Sequence, residues 1–230
     1  MVMGATGTLG RALVSAFADA GWSVTAGWHK SPPPSEFRNI SCSQMDVTDL
    51  KSLRLGIGQH VARWGRLDAL VNTAGIAPEG LLLHHSDCDW DQALRVNLTG
   101  SLLCAQAAFE VMQKQRDGHL LLIGSHAGKT GASGLSAYAT AKAALHGLTQ
   151  DLAREAGPDG IRVNAVLPGV LESAMTRNVS PGRREAWTQA NHLRQLNQPG
   201  EVARFVVFLA GMRQVSGQLF QLDSRPGLVF

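Results

Sequence analysis

Short apolar runs alternate with stretches of helical spacing along this 230-residue chain. The run Leu120–Ile123 is apolar at every position, which favours a strand buried on both faces over a strand with one solvated face. Strands that alternate with helices build a parallel sheet covered by helices on both sides. The sequence therefore predicts an α/β fold: a single Rossmann-type, doubly wound domain over residues 1–230, with a seven-stranded parallel sheet flanked by helices.

The individual elements follow from the same pattern. Strands are predicted at Met1–Met3, Ser23–Gly27, Ile40–Met45, Leu67–Asn72, His119–Gly124, Ile161–Leu167 and Gln218–Leu222. Helices are predicted at Leu9–Ala20, Leu50–Trp64, Asp89–Lys114, Ser136–Ala156 and Gly200–Met212, with a further helix at Arg184–Leu196. Three prolines within 31–35 predict a loop after the second strand.

Composition and charge remove several classes of function. The net charge of +3 is spread along the chain without a run of like charges, so no nucleic-acid partner is expected. The three cysteines have no metal-ligand spacing, which predicts no metal site and reduced thiols in a cytoplasmic protein. No apolar run approaches the roughly 20 residues that cross a bilayer, so no membrane partner is expected.

A glycine-rich turn follows the first strand and opens the first helix. Glycines here let the backbone approach a pyrophosphate, and the helix start presents free N–H groups to it. A plain strand-to-helix turn is the alternative reading of the same residues. The predicted cofactor-binding residues of this turn are Gly4, Thr6, Gly7, Thr8, Leu9 and Gly10.

The residues that follow the second strand indicate which nicotinamide cofactor is used. An acidic residue at this position would bind a ribose 2′-hydroxyl and repel a 2′-phosphate. The sequence has His29 and Lys30 here, with no carboxylate before Glu36. Lys30, assisted by His29, is predicted to pair with a 2′-phosphate, so NADPH is preferred and NADH stays possible. The alternative is that Lys30 is an ordinary solvated lysine.

Three side chains suggest chemistry on a carbonyl group. Tyr138 and Lys142 are four residues apart in a predicted helix, so they share one face. A nearby cation favours the phenolate and makes tyrosine usable as an acid and base. Ser125 ends a predicted strand, where an open α/β sheet binds ligands, and can hydrogen-bond a carbonyl oxygen. The alternatives are a half-buried tyrosine beside a surface lysine, and a serine that caps local backbone groups.

These residues resemble, in order and spacing, the short-chain dehydrogenase/reductase family over nearly the whole chain. Ser125 lies thirteen residues before Tyr138, which is the spacing of the family. Further matches are Asp46-Val47 after the third strand, Asn72-Thr73-Ala74-Gly75 after the fourth, Asn97 in Val96–Gly100, and the Pro-Gly segment of Arg162–Gly169. The resemblance adds to the predicted cofactor site Asp46, Val47, Asn72, Ala74, Gly75, Tyr138, Lys142, Pro168, Gly169, Val170 and Ser173.

The resemblance implies a mechanism with four catalytic residues. Tyr138 protonates the carbonyl oxygen, and Ser125 orients and polarises it. Lys142 lowers the pKa of Tyr138 and binds the nicotinamide ribose, and Asn97 holds a water in a proton relay. The sequence departs from the family at Met3, at Thr8 and at the C-terminal Asp-Gly-Gly, which has become Asp223-Ser224-Arg225; Ser173 replaces a threonine but keeps the hydroxyl.

Within the family the chain is most similar to 3-oxoacyl-[acyl-carrier-protein] reductases. That likeness implies a carrier-linked substrate, with Arg116 and Arg177 receiving the acidic carrier protein; two ordinary surface arginines are the alternative. Residues 173–198 are expected to form a mobile substrate lid, in which Trp187 and His192 line the pocket or cover the core. Family members usually form homotetramers or homodimers through the predicted helices Asp89–Lys114 and Ser136–Ala156.

Two other functions stay open from the sequence alone. One is a reductase or dehydrogenase of a free small alcohol, sugar or steroid-like ketone. The other is a non-catalytic protein that senses the nicotinamide ratio. The second would not need the acid–base pair that Tyr138 and Lys142 are predicted to form.

Overall fold

Seven parallel strands form one sheet in the computed structural model, which describes residues 1–37, 40–173, 176–177 and 179–225. The strand order is β3-β2-β1-β4-β5-β6-β7. The strands are β1 (Val2–Met3), β2 (Thr25–Trp28), β3 (Ser41–Gln44), β4 (Ala69–Asn72), β5 (Gly118–Ile123), β6 (Ile161–Leu167) and β7 (Leu219–Gln221). The predicted α/β fold with a seven-stranded parallel sheet is confirmed.

Helices cover both faces of this sheet. They are α1 (Thr8–Asp19), α2 (Leu50–Trp64), α3 (Asp87–Leu94), α4 (Gly100–Gln115), α5 (Ala127–Thr130), α6 (Ser136–Ala156), α7 (Pro181–Gln189) and α8 (Pro199–Ala210). Short 3-10 turns lie at Ser35–Phe37, Leu82–His84 and Gly157–Asp159. Within the described ranges, no helix is both long enough and apolar enough to cross a bilayer.

Two predicted helices differ from the observed ones. The single helix predicted at Asp89–Lys114 is two helices, α3 and α4, joined by a π-helical stretch at Arg95–Thr99. A π turn holds one residue more than an α turn and is common at functional sites. The helix predicted at Arg184–Leu196 begins earlier, at Pro181, because Ser180 caps it and proline suits the first helical position. It ends at Gln189, before the predicted end at Leu196.

The core lies in two layers, one on each side of the sheet. Strand β5 shows why, since its side chains alternate between the layers. Leu120 and Leu122 pack with α2, α4 and α6, whereas Leu121 and Ile123 pack with α1 and α8. A strand buried on both faces must be apolar at consecutive positions, as the sequence predicted.

The topology places one crevice at the carboxyl-terminal edge of the sheet. Strand β1 pairs with β2 through Val2 and Ala26, and with β4 through Val2 and Val71. The chain leaves β1 toward one side of the sheet and β4 toward the other, so the connections diverge at this edge. Such a switch point is where open α/β sheets bind ligands.

One histidine in the core has a defined protonation state. His119 in β5 is fully buried, and its Nε2 accepts a hydrogen bond from Nδ2 of Asn164 at 2.8 Å. Its Nδ1 faces the carbonyl oxygen of Ala210 at 3.4 Å. The ring is therefore neutral, with the proton on Nδ1. Burial, and then the charge of Arg162, lower the pKa of His119 to about 4.

We predict that His119 makes the fold sensitive to acid. Between pH 6.5 and about 4 the unfolded chain binds a proton at this histidine and the folded chain does not, so the free energy of unfolding falls as the pH falls. The His119→Gln variant cannot bind this proton. Between pH 7.5 and 4.5 we therefore expect its free energy of unfolding to fall by about 2 kcal/mol less than that of the wild type. Urea unfolding at pH 7.5 and 4.5 measures this. Exposed His84→Gln is the control, and equal losses in His119→Gln and wild type would contradict the prediction.

Candidate active site

A cavity of about 1600 Å³ opens along the carboxyl-terminal edge of the sheet. It exceeds the roughly 300–1,000 Å³ of most small-molecule pockets, so it can hold a dinucleotide together with a second molecule. Most residues of the predicted cofactor site line it: Gly4, Thr6, Gly7, Thr8, Leu9, Gly10, His29, Lys30, Asp46, Val47, Ala74, Gly75, Tyr138, Lys142, Pro168, Gly169, Val170 and Ser173.

The glycine-rich turn is built for close approach of the backbone. Gly4 has a φ of +69°, and a Cβ there would lie 2.7 Å from the backbone nitrogen of Ala74. A Cβ on Gly10 would overlap the carbonyl oxygen of Gly4. Helix α1 begins at this turn, and Gly7 offers no side chain to cap it. Free N–H groups and the positive end of the helix dipole therefore face the cavity, which suits a pyrophosphate.

Thr73 braces the turn from the neighbouring strand. Its hydroxyl donates a hydrogen bond to the carbonyl oxygen of Met3 at 2.7 Å, and it lies 3.2 Å from that of Gly4. This contact ties the end of β4 to the end of β1, directly beneath the cavity. The threonine hydroxyl provides this link between the two strand ends.

The end of β2 forms the opposite end of the cofactor region. Trp28, His29 and Lys30 line the cavity here, and Lys30 is exposed. No ionic partner of Lys30 occurs among the residues that the structure describes. His29 instead has its Nε2 3.5 Å from Oδ2 of Asp46.

Asp46 lines the same region, but its carboxylate is occupied locally. Oδ1 accepts hydrogen bonds from the backbone nitrogen and the hydroxyl of Thr48, both at 2.8 Å. Burial alone would raise the pKa of Asp46, but these bonds and the charges of His29 and Arg95 hold it below its ordinary value. Asp46 is thus an anion already paired, which leaves Lys30 and Arg95 as cations at the cavity wall.

Tyr138 and Lys142 occupy successive turns of α6 at the other end of the cavity. The Nζ of Lys142 lies 5.7 Å from the centre of the Tyr138 ring. The same Nζ donates a hydrogen bond to the carbonyl oxygen of Ile123, the last residue of β5, at 2.7 Å. Burial lowers the pKa of Lys142 to about 8. The lysine therefore ties α6 to the end of the strand that carries Ser125.

The protonation of Tyr138 differs from the expectation. Burial raises the pKa of the phenol above its ordinary value, and a hydrogen bond with Ser125 opposes that rise. The expected lowering by Lys142 is not found, because the ammonium group faces the carbonyl of Ile123. The phenol consequently keeps its proton near neutral pH, which is the form that can donate one.

Ser125 stands directly beyond β5, as the sequence predicted. It lines the cavity, and its Oγ accepts a hydrogen bond from the backbone nitrogen of Ala127 at 3.2 Å. That bond orients the side chain at the start of α5. Ser125 and Tyr138 therefore face the same part of the cavity, where their interaction opposes the rise in the pKa of the phenol.

Asn97 and Asn72 were predicted to act in the site, but their side chains do not line the cavity. Asn97 is fully buried on the π-helical stretch, and its Nδ2 donates to the carbonyl oxygens of Ile76 and Ala93 at 2.8 and 2.9 Å. Its Oδ1 also accepts from the nitrogen of Ile76 at 3.3 Å. Both side-chain N–H groups are thus engaged, and Asn97 positions the segment after β4 rather than facing the cavity.

Asn72 performs a similar task inside the fold. Its Nδ2 donates to Oγ of Ser101 at 3.1 Å, and its Oδ1 accepts from the nitrogen of Ala74 at 3.1 Å. The side chain of Asn72 therefore faces the interior of the fold, and its role in cofactor binding stays a prediction. Asn72 supports Ala74, which does line the cavity.

Segment 173–198, predicted to be a mobile lid, lines one side of the cavity with some of its described residues, and residues 174, 175 and 178 lie outside the described part. Trp187 of α7 lines the cavity, whereas His192 is exposed. Arg183 of α7 also lines the cavity and pairs with Glu79 on the opposite rim at 3.3 Å. The lid is thereby linked by an ion pair to the loop after β4.

The two arginines predicted to receive a carrier protein lie at opposite edges of the sheet. Arg116 precedes β5, at the amino-terminal edge, and pairs with Asp159. Arg177 follows β6 and lines a small cleft with Thr8, beside the cavity. Within one chain they cannot form one docking surface, because a parallel strand has its start and end at different edges.

Several cavity residues were not predicted. Among them are Trp28, Arg95, His126, Arg183 and Arg225. No sequence pattern indicated the first four, because the course of a loop or helix in three dimensions brings each of them to the cavity. Arg225 had a signal, because it replaces a glycine of the pattern Asp-Gly-Gly.

Comparisons with known proteins agree with this geometry. A family profile described as "Enoyl-(Acyl carrier protein) reductase" matches residues 4–224. The chain is 34% identical to the 3-oxoacyl-[acyl-carrier-protein] reductase FabG of Thermotoga maritima, with 100% of this chain and 96% of that protein covered. It is 35% identical to FabG of Aquifex aeolicus, covering 91% and 88% of the two chains.

A solved structure shows the same fold. The protein described as "Crystal structure of gox2181" superposes with a TM-score of 0.89 at 30% identity, covering 97% of this chain and 93% of that one. Full-length similarity, the sheet order and a cavity at the switch point all agree. The chain belongs to the short-chain dehydrogenase/reductase family and is an oxidoreductase acting on the CH–OH/C=O pair.

Proposed function

We propose that this protein is an NADPH-dependent reductase that converts a ketone into a secondary alcohol. Its proposed substrate is a 3-oxoacyl thioester on acyl carrier protein, in fatty-acid-like or polyketide-like synthesis. The observation behind the proposal is the position of Tyr138, Ser125 and Lys142 at one end of the cavity. The glycine-rich turn Gly4–Gly10, here called the glycine cradle, forms the other end. The names of the FabG relatives support the choice of substrate.

The fit of the cofactor rests on the cradle itself. Gly4 and Gly10 leave space that a Cβ would fill, and α1 starts there without a side-chain cap. We propose that the turn holds the pyrophosphate and that Lys30, with Arg95 nearby, receives the 2′-phosphate of NADPH. NADH remains the possible second cofactor.

The glycine-rich turn would hold a nicotinamide cofactor, which would supply the hydride for the carbonyl carbon. Tyr138 donates its phenol proton to the carbonyl oxygen, and its raised pKa keeps that proton available near neutral pH. Ser125 donates a hydrogen bond to the same oxygen and so favours the charge that develops on it.

Two further residues support these groups. We propose that Lys142, protonated below pH about 8, binds the nicotinamide ribose and holds the end of β5 in place beside Ser125. Asn97 positions the segment after β4, since a Cβ on Gly75 would lie 2.6 Å from its Oδ1 and 3.7 Å from Nζ of Lys142. The second lone pair of Oδ1 can accept a hydrogen bond from the relay water that the resemblance to the family implies.

A second candidate is a reductase of a free small ketone. The position of Arg116, away from the cavity edge and paired with Asp159, favours it. A carrier protein docking at this site would contact Arg177 but not Arg116 of the same chain. A dimeric or tetrameric assembly through α4 and α6 and a cytoplasmic location complete the proposal, and light scattering tests the assembly.

The overall proposal is tested by titrating NADPH and NADH against a short 3-oxoacyl thioester. We expect faster turnover per mole of enzyme with NADPH, at lower KM. Equal or better turnover with NADH would overturn the cofactor assignment. Absence of turnover with both cofactors would overturn the substrate class.

Tyr138→Phe removes the proton donor and should lower kcat by about 10²- to 10⁴-fold, the usual contribution of a general acid. The ring stays in place, so the affinity for NADPH, measured by fluorescence titration, should change less than twofold. Leu135→Met, a conservative change in the same cavity wall, is the matched control. Turnover that survives Tyr138→Phe would contradict the mechanism.

Lys30→Ala should weaken NADPH binding by about three- to tenfold, because a surface charge-assisted hydrogen bond to phosphate is lost. NADH has no 2′-phosphate, so its affinity should be unchanged within a factor of two. Isothermal titration with both cofactors measures the ratio. Lys51→Ala, an exposed lysine on α2, controls for the overall charge, and parallel losses for NADPH and NADH would refute the assignment.

Carrier docking is tested by charge reversal. With a 3-oxoacyl group on acyl carrier protein, Arg177→Glu should raise KM by about tenfold at low salt, since an acidic partner is repelled at the cavity edge. With the same acyl group on a short uncharged thioester, KM should be unaffected. Arg116→Glu is the comparison at the opposite edge, and identical KM values for wild type and Arg177→Glu would favour the free-ketone reading.

A further inference from the structure

Arg225 lines the cavity but has no part in the mechanism above. It occupies the position where the family pattern Asp-Gly-Gly has its last glycine, so the pattern has no side chain there. In this structure its side chain is 13% exposed, and it forms part of the cavity wall. A guanidinium group held inside a substrate cavity is costly to bury, and it therefore requires partners.

The guanidinium is fixed from behind by Asp223. Its Nε and Nη2 both donate to Oδ2 of that carboxylate, whose side chain is 1% exposed. Oδ1 of Asp223 accepts from Nε2 of Gln221 at 2.7 Å, and the same Nε2 donates to the backbone carbonyl of Arg225 at 3.1 Å. The orientation of Arg225 is thus set by a network of hydrogen bonds and by the end of β7.

Its neighbours place Arg225 at the substrate end of the cavity. Asp223 packs against Gly169 so closely that a Cβ on that glycine would lie 2.7 Å from the Cβ of Asp223. His126, the residue after Ser125, is near enough for the charge of Arg225 to act on it. The guanidinium therefore lies between the Pro-Gly segment and the strand end that carries Ser125.

The chain on the other side of Arg225 contacts the lid. Ser224 accepts hydrogen bonds from the backbone nitrogens of His192 and Leu193, at 3.1 Å through its carbonyl and 3.0 Å through its hydroxyl. The segment that carries Arg225 is therefore held both to the sheet and to the lid.

One edge of the guanidinium is unused. Arginine has five N–H donors, and Asp223 takes one from Nε and one from Nη2. Nη1 and the second N–H of Nη2 form the outer edge, which has no hydrogen-bond partner among the residues that the structure describes. Because Asp223 offsets the charge, this edge offers hydrogen bonds without net positive charge, and that favours a neutral oxygen over an anion.

We propose that Arg225 binds the acyl carbonyl oxygen of a 3-oxoacyl substrate and so selects dicarbonyl substrates over isolated ketones. The inference rests on the proposed function and names the group that the site recognises beside the reacting ketone. Ser125 and Tyr138 hold the ketone oxygen, and Arg225 holds the second oxygen. The two contacts fix which end of the substrate faces the nicotinamide side of the cavity.

The test compares two substrates in each enzyme preparation. One is a short 3-oxoacyl thioester, and the other is a ketone of equal length in which a methylene replaces the acyl carbonyl. Arg225→Met keeps the apolar stem without the donors. We expect kcat/KM for the thioester to fall about 10- to 100-fold and kcat/KM for the plain ketone to change less than threefold. Equal losses for both substrates would overturn the proposal.

Arg225→Met leaves Asp223 buried without its partner, so a second variant guards against misfolding. Arg225→Met with Asp223→Asn removes both charges and should show the same selective loss for the thioester. Arg204→Met, an exposed arginine on α8, is the matched control and should leave both substrates unchanged. A wild-type substrate preference that persists in the double variant would refute the role of Arg225.

A third substrate and the wild-type rates separate the remaining outcomes. If Arg225→Met lowers kcat/KM for a free 3-oxo acid more than for the thioester, the outer edge of the guanidinium is an anion site, and the proposal is wrong. If the wild type reduces neither the thioester nor the plain ketone, the proposed function itself fails. If it reduces both and Arg225→Met changes neither rate, this inference alone fails.

Discussion

The close approach of β1 and β4 at the switch point is the constraint on which the site depends. Gly4 and Ala74 come so near that a Cβ on Gly4 would lie within 2.9 Å of both the nitrogen and the Cα of Ala74. The hydroxyl of Thr73 joins the two strand ends at the same place. Beside this contact the chain diverges to the two faces of the sheet and leaves a cavity between its connections.

Polar residues behind the cavity wall position the residues that line it. Asn72 holds Ala74, Asn97 holds Ile76, and Lys142 holds the last carbonyl of β5. All three side chains are buried, where an unpaired polar group is costly, so each contact is strongly specified. The reactive end of the cavity therefore takes its shape from hydrogen bonds inside the protein, formed before any ligand binds.

Much of this arrangement was predictable from the sequence, for identifiable reasons. The apolar run in β5 and the glycine turn are local patterns, so they indicated the fold and the cradle directly. The spacing of Ser125 and Tyr138 indicated that the two side chains lie together. What local pattern could not supply was tertiary: the direction of the Lys142 ammonium, the burial that raises the pKa of Tyr138, and the opposite edges at which Arg116 and Arg177 lie.

The π-helical stretch at Arg95–Thr99 has a consequence for how this protein can change by insertion or deletion. Deleting one residue there would let α3 and α4 fuse into a regular helix and would turn everything that follows by about 100°. Cys104, Ala108 and Met112 would then leave the core, or Asn97 would leave the loop that it holds. An insertion or deletion at this point is consequently not tolerated, whereas the surface loops of the same fold can vary in length.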